Sequence, residues 1–238
     1  MNKVSITRFI EKYYLNGNCS SVVLKSNDNK LSTRFITGDK NLLGELSMDN
    51  FSFDDVEMGV YNTEQLVKLL SVLNEKISID LTKAGDKAVS LKVSDSKSDV
   101  NYMLSDLSVI SQAPNMKSVP DFEVKIKVDK SFMSKFISGV SALPDAGNFT
   151  VISNDDDCKV VIGYAEINTN RVTIPVETEE LSKIENVAFS SNLLKDVLTA
   201  NKECESATLE ISSKGLARIQ FKVDDYDALY YLVAETND

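Results

Sequence analysis

The residues of this chain whose types could support chemistry are its carboxylates, because none of its 238 residues is histidine. Histidine is the commonest general base and the commonest metal ligand, so acid–base or metal chemistry would have to use aspartate and glutamate. Adjacent aspartates occur at Asp54-Asp55, at residues 155–157 and at Asp224-Asp225. The middle group separates two strand-like runs, where aspartate is an ordinary turn residue. We therefore interpret all three groups as solvated loop charges and expect no metal, no cofactor and no catalytic residue.

The remaining motifs also argue against an enzyme. The sequence contains neither a glycine-rich phosphate-binding loop nor a nucleophile elbow. Its cysteines, Cys19, Cys158 and Cys204, are far apart and show no metal-binding or redox spacing, so we expect reduced structural thiols. One enzymatic alternative stays open, a carboxylate-dependent metal enzyme that would use Asp155 and Asp157.

The composition is that of a folded, acidic protein. Hydrophobic residues make up 42% of the chain, enough for two ordinary cores, and the formal net charge is −10. No apolar run approaches the roughly 18 residues that a membrane-spanning helix needs. The segment from Met1 to Ile6 has no signal-peptide core, so we expect a cytoplasmic protein.

One arrangement of elements recurs four times, at intervals of about 60 residues. Each repeat is an amphipathic helix, with a lysine outside its apolar stripe, followed by strand-like segments that alternate apolar and polar residues. The predicted helices are 3–16, 63–74, 129–142 and 191–203. Helices that are rarer than hairpin-linked strands predict an α+β fold with antiparallel sheets. The segment 108–120 carries two of the four prolines, which predicts two similar domains, 1–107 and 121–238, joined by a linker.

Positive charge is concentrated on the four predicted helices. These segments hold eight cations and five anions and so carry +3, which leaves −13 on the rest of the chain. If the helices lie side by side, their polar faces form a positive surface that attracts a polyanion such as duplex DNA without reading its sequence. The alternative is that lysine is simply a good helix former on a solvated face. The cations in question are Lys3, Arg8, Lys12, Lys68, Lys130, Lys135, Lys195 and Lys202.

Four stretches carry a resemblance to a known family. They are Val22 to Ser26 with Thr33-Arg34; Val60-Tyr61 followed by Leu66 to Asn74 and Ile77-Ser78; Ala113-Pro114-Asn115; and Tyr230 to Glu235. In their order, and in total length, the chain resembles the DNA polymerase sliding clamps, particularly those of T-even-like bacteriophages. These belong to the proliferating cell nuclear antigen class with two domains per subunit. None of the four stretches is a catalytic signature.

The resemblance implies a ring of three identical subunits that close head-to-tail around DNA, with the helices lining the hole and the sheets forming the outer wall. The predicted helix cations would then face the DNA. An edge strand at 100–104 would pair with one at 171–176 of the neighbour, although both are equally compatible with ordinary edge strands. The residues that this assigns to the subunit interface are Val100, Tyr102, Leu104, Arg171, Thr173 and Pro175.

The resemblance also implies partners. The ring would tether the replicative DNA polymerase as a processivity factor during viral DNA replication in the host cytoplasm. An ATP-driven clamp loader would have to be a separate protein, because this chain has no nucleotide-binding motif. Partner peptides would dock in an apolar pocket, unless its residues only pin the linker onto the sheets. A competing functional hypothesis is an acidic, oligomeric phage tail or baseplate protein. The predicted pocket residues are Val109, Ile110, Met116, Val119, Leu232 and Ala234.

Overall fold

The computed structural model describes residues 2–116, 118–165, 167 and 169–235. The chain forms two compact units, Met1–Gly38 with Gly44–Ala113, and Asp39–Leu43 with Pro114–Asp238. The division falls inside the segment predicted as a linker, of which Lys117 lies outside the described residues; the domain limits 1–107, 108–120 and 121–238 stay a prediction. None of the described helices is long and apolar enough to cross a membrane.

The first unit combines two helices with antiparallel strands. Its elements are α1 (Lys3–Tyr14), β1 (Val22–Asn27), β2 (Lys30–Ile36), β3 (Leu42–Met48), β4 (Val56–Val60), α2 (Thr63–Ser71), β5 (Ser78–Ala84), β6 (Lys87–Ser94) and β7 (Asp99–Met103). Strands β3, β2, β1 and β4 lie side by side in that order, and β5, β6 and β7 form a three-stranded sheet. Short 3₁₀ helices follow α1 and β7.

The second unit repeats this plan with more strands. Its elements are β8 (Val124–Asp129), α3 (Lys130–Ala142), β9 (Asn148–Ser153), β10 (Cys158–Ile162), β11 (Val172–Pro175), β12 (Thr178–Glu180), β13 (Ile184–Ser190), α4 (Ser191–Ala200), β14 (Ser206–Ser212), β15 (Leu216–Val223) and β16 (Tyr226–Val233). One set of neighbouring strands is β12-β8-β14-β15-β16, and the other sheet is β11-β10-β9-β13. The prediction of an α+β fold with antiparallel sheets and four helices is confirmed.

All four helices begin in the same way. A short polar side chain just before each helix accepts a hydrogen bond from a backbone N–H of the first turn, which satisfies a donor that the helix itself leaves free. The four capping residues are Asn2, Asn62, Asp129 and Ser190. Three of the helices end earlier than the predicted limits 3–16, 63–74 and 191–203.

Each helix buries an aromatic or aliphatic stripe against its own unit. In the first unit, Phe9, Tyr13 and Phe35 are at most 1% exposed, and the Tyr13 ring lies 6.1 Å from Phe9 and 6.3 Å from Phe35, centroid to centroid. In the second unit, the Phe136 ring of α3 lies 5.2 Å from Phe149 of β9. Burial of such rings provides most of the free energy that holds a helix on a sheet.

The segment predicted to be a linker without structure is ordered at its start. Residues Leu107–Val109 form a 3₁₀ helix, capped by Asp106, whose side chain accepts a hydrogen bond from the Ser108 N–H at 3.0 Å. Ile110 is 4% exposed and packs close to Gly59 on β4. The prediction missed this turn because an aspartate cap and a single buried isoleucine produce no periodic pattern.

Candidate nucleic-acid interface

The helices of each unit pack in pairs, α1 with α2 and α3 with α4. In the first pair, the predicted cations have local partners. The Lys3 ammonium donates to the carbonyl oxygen of Leu73, just beyond the end of α2. On α2, Lys68 and Glu64 form an exposed i,i+4 ion pair, and their mutual hydrogen bond lowers the pKa of Glu64 and raises that of Lys68. Arg8 is half-buried and has a partner of its own.

Lys12 does not lie outside the buried stripe of α1, on the flank where the helical pattern placed it. Its side chain is 0% exposed, so it cannot contact DNA in this conformation, and the prediction is corrected. Lys12 follows Phe9 by three residues and precedes Tyr13, and the buried stripe of α1 is wide enough to include it. A four-carbon stem allows a lysine to pack along such an apolar stripe.

In the second pair, three lysines keep exposed or half-exposed ammonium groups. Lys135 on α3 is exposed, Lys195 on α4 is half-exposed, and Lys202 is exposed in the turn after α4, not on the helix as predicted. None of the three forms an ion pair with a residue that the structure describes. Lys130 is different, because its ammonium lies 3.5 Å from the Glu205 carboxylate and 2.6 Å from the carbonyl oxygen of Lys202.

The strands show the opposite pattern, because every lysine and arginine within a strand forms an ion pair with a carboxylate. Such exposed pairs add little to stability, but each one cancels a positive charge on the sheets. Outside the strands, cations without an ion pair lie on the helices and in loops. Positive charge that is not cancelled is therefore absent from the described strands. The paired cations are Lys25, Lys30, Arg34, Lys83, Lys87, Lys92, Lys125, Lys127, Lys159, Arg218 and Lys222.

The aspartate groups singled out in the sequence lie in loops and turns between strands. The N–H groups of Asp156 and Asp157 each donate to the Asn154 side-chain oxygen at 2.8 Å, so this cluster is part of a capped turn. Among the described residues, no group of three or more histidine, cysteine, aspartate or glutamate side chains is arranged to hold a metal ion. Burial raises the pKa of Cys19 to about 12 and that of Cys158 to about 11, which keeps both thiols protonated at neutral pH.

Comparison with known proteins gives an answer only at the level of structure. No family model and no curated protein matches the sequence. The structure is similar to the proliferating cellular nuclear antigen of Entamoeba histolytica, with a TM-score of 0.75 and 15% identity over 99% of this chain and 97% of that one. It is also similar to the A. fulgidus antigen bound to the C-terminal region of FEN-1, with a TM-score of 0.78 and 14% identity over 100% of this chain and 98% of that one.

This chain has the sliding-clamp fold. The strands predicted to form a subunit contact in such a fold are both at sheet edges, β7 in the three-stranded sheet and β11 in the four-stranded one. Val100 and Tyr102 point into their own unit and are 9% and 4% exposed, and the Tyr102 hydroxyl is hydrogen-bonded to the backbone of Asn62. A contact along β7 would therefore use its backbone and the exposed side chains of Asp99, Asn101 and Met103. Of the other residues assigned to the contact, Arg171, Thr173 and Pro175 are exposed and Leu104 is half-buried.

The apolar residues assigned to a docking pocket of the clamp fold differ in exposure. Val109 and Val119 are 59% and 40% exposed, and Met116 and Ala234 are half-buried. Ile110 and Leu232, in contrast, are 4% and 1% exposed, so these two are core residues and the prediction is corrected for them. Leu232 lies on the same face of β16 as the buried Tyr226, Ala228 and Tyr230, because side chains two residues apart share a face of a strand. That the four accessible residues line a pocket stays a prediction.

Proposed function

We propose that this chain is a non-enzymatic sliding clamp of the T-even-like bacteriophage type. Three copies close into a ring around duplex DNA and tether the replicative DNA polymerase as a processivity factor. The observation that carries the proposal is the contrast between the strands, where every cation is neutralised, and the helices, where Lys135 and Lys195 are not. On a clamp fold, this contrast directs DNA toward the helices and away from the sheets.

The charge distribution suits a protein that must slide. A closed ring leaves DNA only by opening or by reaching an end, so it does not need strong phosphate contacts, which would slow its movement. A few lysines on long flexible side chains give a weak attraction that is nearly even along the duplex, because B-DNA carries one negative charge per about 1.7 Å of its axis. The net charge of −10 disfavours binding of DNA elsewhere on the molecule.

The subunit contact in this proposal pairs β7 of one copy with β11 of the next. Both are edge strands whose outer backbone groups have no ladder partner among the described residues. A head-to-tail contact of two different edges repeats at each boundary and closes when the rotation between subunits is one third of a turn. Such pairing continues the sheets from one copy to the next and removes two exposed edges at each contact.

In this proposal, client proteins dock on the clamp through short peptide segments, and a separate clamp loader uses ATP. The solved A. fulgidus antigen holds the C-terminal region of FEN-1, which supports docking of client proteins through short segments. For this chain, the proposed client is the polymerase, and the proposed docking residues are Val109, Met116, Val119 and Ala234. A tethered polymerase gains a high local concentration at the primer end without any increase in its own affinity for DNA. A separate ATPase opens the ring in the host cytoplasm.

Two measurements test the proposal. Native mass spectrometry should give a trimer, and a monomer at high concentration would contradict the ring. The trimer, loaded by its ATPase onto nicked circular duplex, should stay bound through gel filtration and be lost after the circle is cut once. A protein bound equally to circular and linear DNA, or to neither, would contradict encirclement. The same DNA with bulky protein blocks at both ends is the control, because it should restore retention after cutting.

A further inference from the structure

The two units are related by an internal repeat. The strand that follows the second helix of each unit, β5 after α2 and β14 after α4, can be aligned residue by residue. In the second unit, Asp129 caps α3 and pairs with Ser206, where β14 begins. In the first unit, Asn2 caps α1 and forms an antiparallel bridge with Lys76, just before β5. Aligning these two pairs aligns Ile79, Asp80 and Leu81 of β5 with Leu209, Glu210 and Ile211 of β14. The apolar–acidic–apolar order is the same in both strands.

This alignment shows that β14 and β5 differ in whether a strand pairs along one of their edges. In the second unit, β8 leads into α3 and pairs with β14 along the whole stretch from Val124 to Asp129. Among the described residues of the first unit, the Asn2–Lys76 bridge is the only pairing of this kind, and no strand continues it along the outer edge of β5. Since β6 pairs with the inner edge, β5 presents an open row of backbone donors and acceptors.

Side-chain burial shows the same difference. Leu209 and Ile211 on β14 are both 0% exposed, covered in part by β8. Their counterparts on β5, Ile79 and Leu81, are only half-buried. An apolar pair on an unpaired edge is an unusual surface, because edge strands are normally protected by charges or by another element.

Charge identifies what would fit on this edge. In the second unit, Glu210 lies opposite Arg218 on one side, with which it forms an ion pair, and opposite Lys125 of β8 on the other. Asp80 lies opposite Lys92 in the same way, but Lys92 instead forms an ion pair with Asp99 of β7. Asp80 is exposed and has no ion pair with a described residue, so its charge is not neutralised.

We propose that the outer edge of β5 binds an extended segment of a partner protein by antiparallel strand addition, and that apolar residues alternate with lysine or arginine in this segment. Strand β8 of this chain, Val-Lys-Ile-Lys-Val-Asp, is an example of such a sequence. The apolar residues of the partner segment cover Ile79 and Leu81, and one of its basic residues lies opposite Asp80. Main-chain hydrogen bonds provide affinity in this mode, and the alternate side chains provide specificity. The proposal is independent of DNA binding and of the ring contact, which uses the opposite edge at β7.

The test uses the complete protein and a fluorescent synthetic peptide with the sequence of residues 123–129. Fluorescence anisotropy should show saturable binding, and hydrogen exchange should show new protection in β5 and none in β7. A peptide with proline in place of its isoleucine should bind at least tenfold more weakly, because proline cannot join a ladder. No saturable binding, or protection at β7 or β14 instead, would overturn the proposal. Protection of β5 that rises with protein concentration without peptide would also overturn it, in favour of a second copy as the occupant.

A charge exchange separates binding at Asp80 from a loss of folding. Asp80→Lys should weaken binding of the basic peptide by about tenfold, because an attractive cross-strand pair becomes repulsive. A peptide with both lysines changed to glutamate should bind the native protein weakly and bind Asp80→Lys about tenfold better. Asp155→Lys, the same charge change at an exposed position between β9 and β10 of the second unit, is the matched control and should leave both affinities unchanged. Equal effects of Asp80→Lys on both peptides would overturn the assigned site.

Discussion

The ammonium group of Lys130, at the start of α3, donates a hydrogen bond to the carbonyl oxygen of Lys202, in the turn after α4, across a distance of 2.6 Å. This contact ties the N-terminal end of one helix to the C-terminal end of the other, where carbonyl oxygens have no partner within the helix. The Lys130 ammonium group is therefore used to hold α3 and α4 together. On the described helices of the second unit and in the turn after α4, the positive charge without an ion pair is then that of Lys135, Lys195 and Lys202.

Replacing those three lysines by alanine should impair association with DNA. We expect the ring with Lys135→Ala, Lys195→Ala and Lys202→Ala to bind or stay on nicked circular duplex about tenfold more weakly at low salt, and to leave it at a lower salt concentration, since fewer counterions are released on binding. The measurement is retention on circular DNA across a salt series.

The matched control removes the same charge from the strands. Lys25→Ala, Lys127→Ala and Lys222→Ala also remove three positive charges, but each of these lysines is neutralised by a carboxylate. This variant should behave much more like the native protein. If both triple variants lose retention equally, net charge decides binding and the assignment to the helices is wrong.

Lys12→Ala should act on stability, not on DNA. Because Lys12 is 0% exposed, its removal leaves a cavity and disturbs a buried charge, which should lower the free energy of unfolding by about 2–4 kcal/mol. Lys68→Ala removes only an exposed i,i+4 pair and should leave the free energy of unfolding nearly unchanged. Urea unfolding measures both. Equal small effects would mean that the Lys12 side chain is accessible in solution.

Gly44→Ala should be strongly destabilising for a different reason. A Cβ atom at this position would lie 2.1 Å from the Phe35 ring, so the β2–β3 pair would have to move or the ring would have to leave its place. We expect a loss of about 1–3 kcal/mol or more in urea unfolding. Gly38→Ala, with nothing within 4 Å of the added atom, is the control and should be nearly neutral. Phe35→Leu in the Gly44→Ala background should recover part of the loss.

Stability should fall in acid partly through Asp95. Backbone N–H groups of Asn74 and Lys97 donate to its carboxylate and lower the pKa from 3.8 to about 2. A carboxylate whose pKa is lower when folded stabilises the protein above its unfolded pKa, and this contribution is lost as pH falls from about 4 through 2. Asp95→Asn should flatten the stability profile over that interval. An NMR titration that places the Asp95 midpoint at or above 3.8 would contradict the assignment.

Much of the fold could be predicted because the spacing of apolar residues along the chain determines each helix and strand locally. Helix α3, predicted as 129–142, differs from its prediction only at its first residue. Helix ends were less accurate, because α4 is stopped by tertiary contacts that the sequence does not display. The Asn201 side chain there donates to the Val197 carbonyl at 2.8 Å and to the buried Tyr230 hydroxyl. A strand as short as β12, with three residues, cannot show an alternation of apolar and polar residues.

The candidate site was predictable only in part, for a related reason. The helical pattern identified which segments carry cations, but it could not show which cations are neutralised. Lys25 and Glu57, for example, are 32 residues apart and meet only through the register of β1 with β4. The width of the buried stripe on α1 is likewise a tertiary property, which explains the error at Lys12. At Ile110, the information missing from the sequence was its packing close to Gly59 on β4.

The bridge between Asn2 and Lys76 has a practical consequence for anyone who purifies this protein. It places the front of α1 beside the first residue of an open strand edge. A purification tag or fusion joined ahead of Asn2 would begin next to that edge. If this added segment pairs with β5, it blocks the edge or links neighbouring molecules.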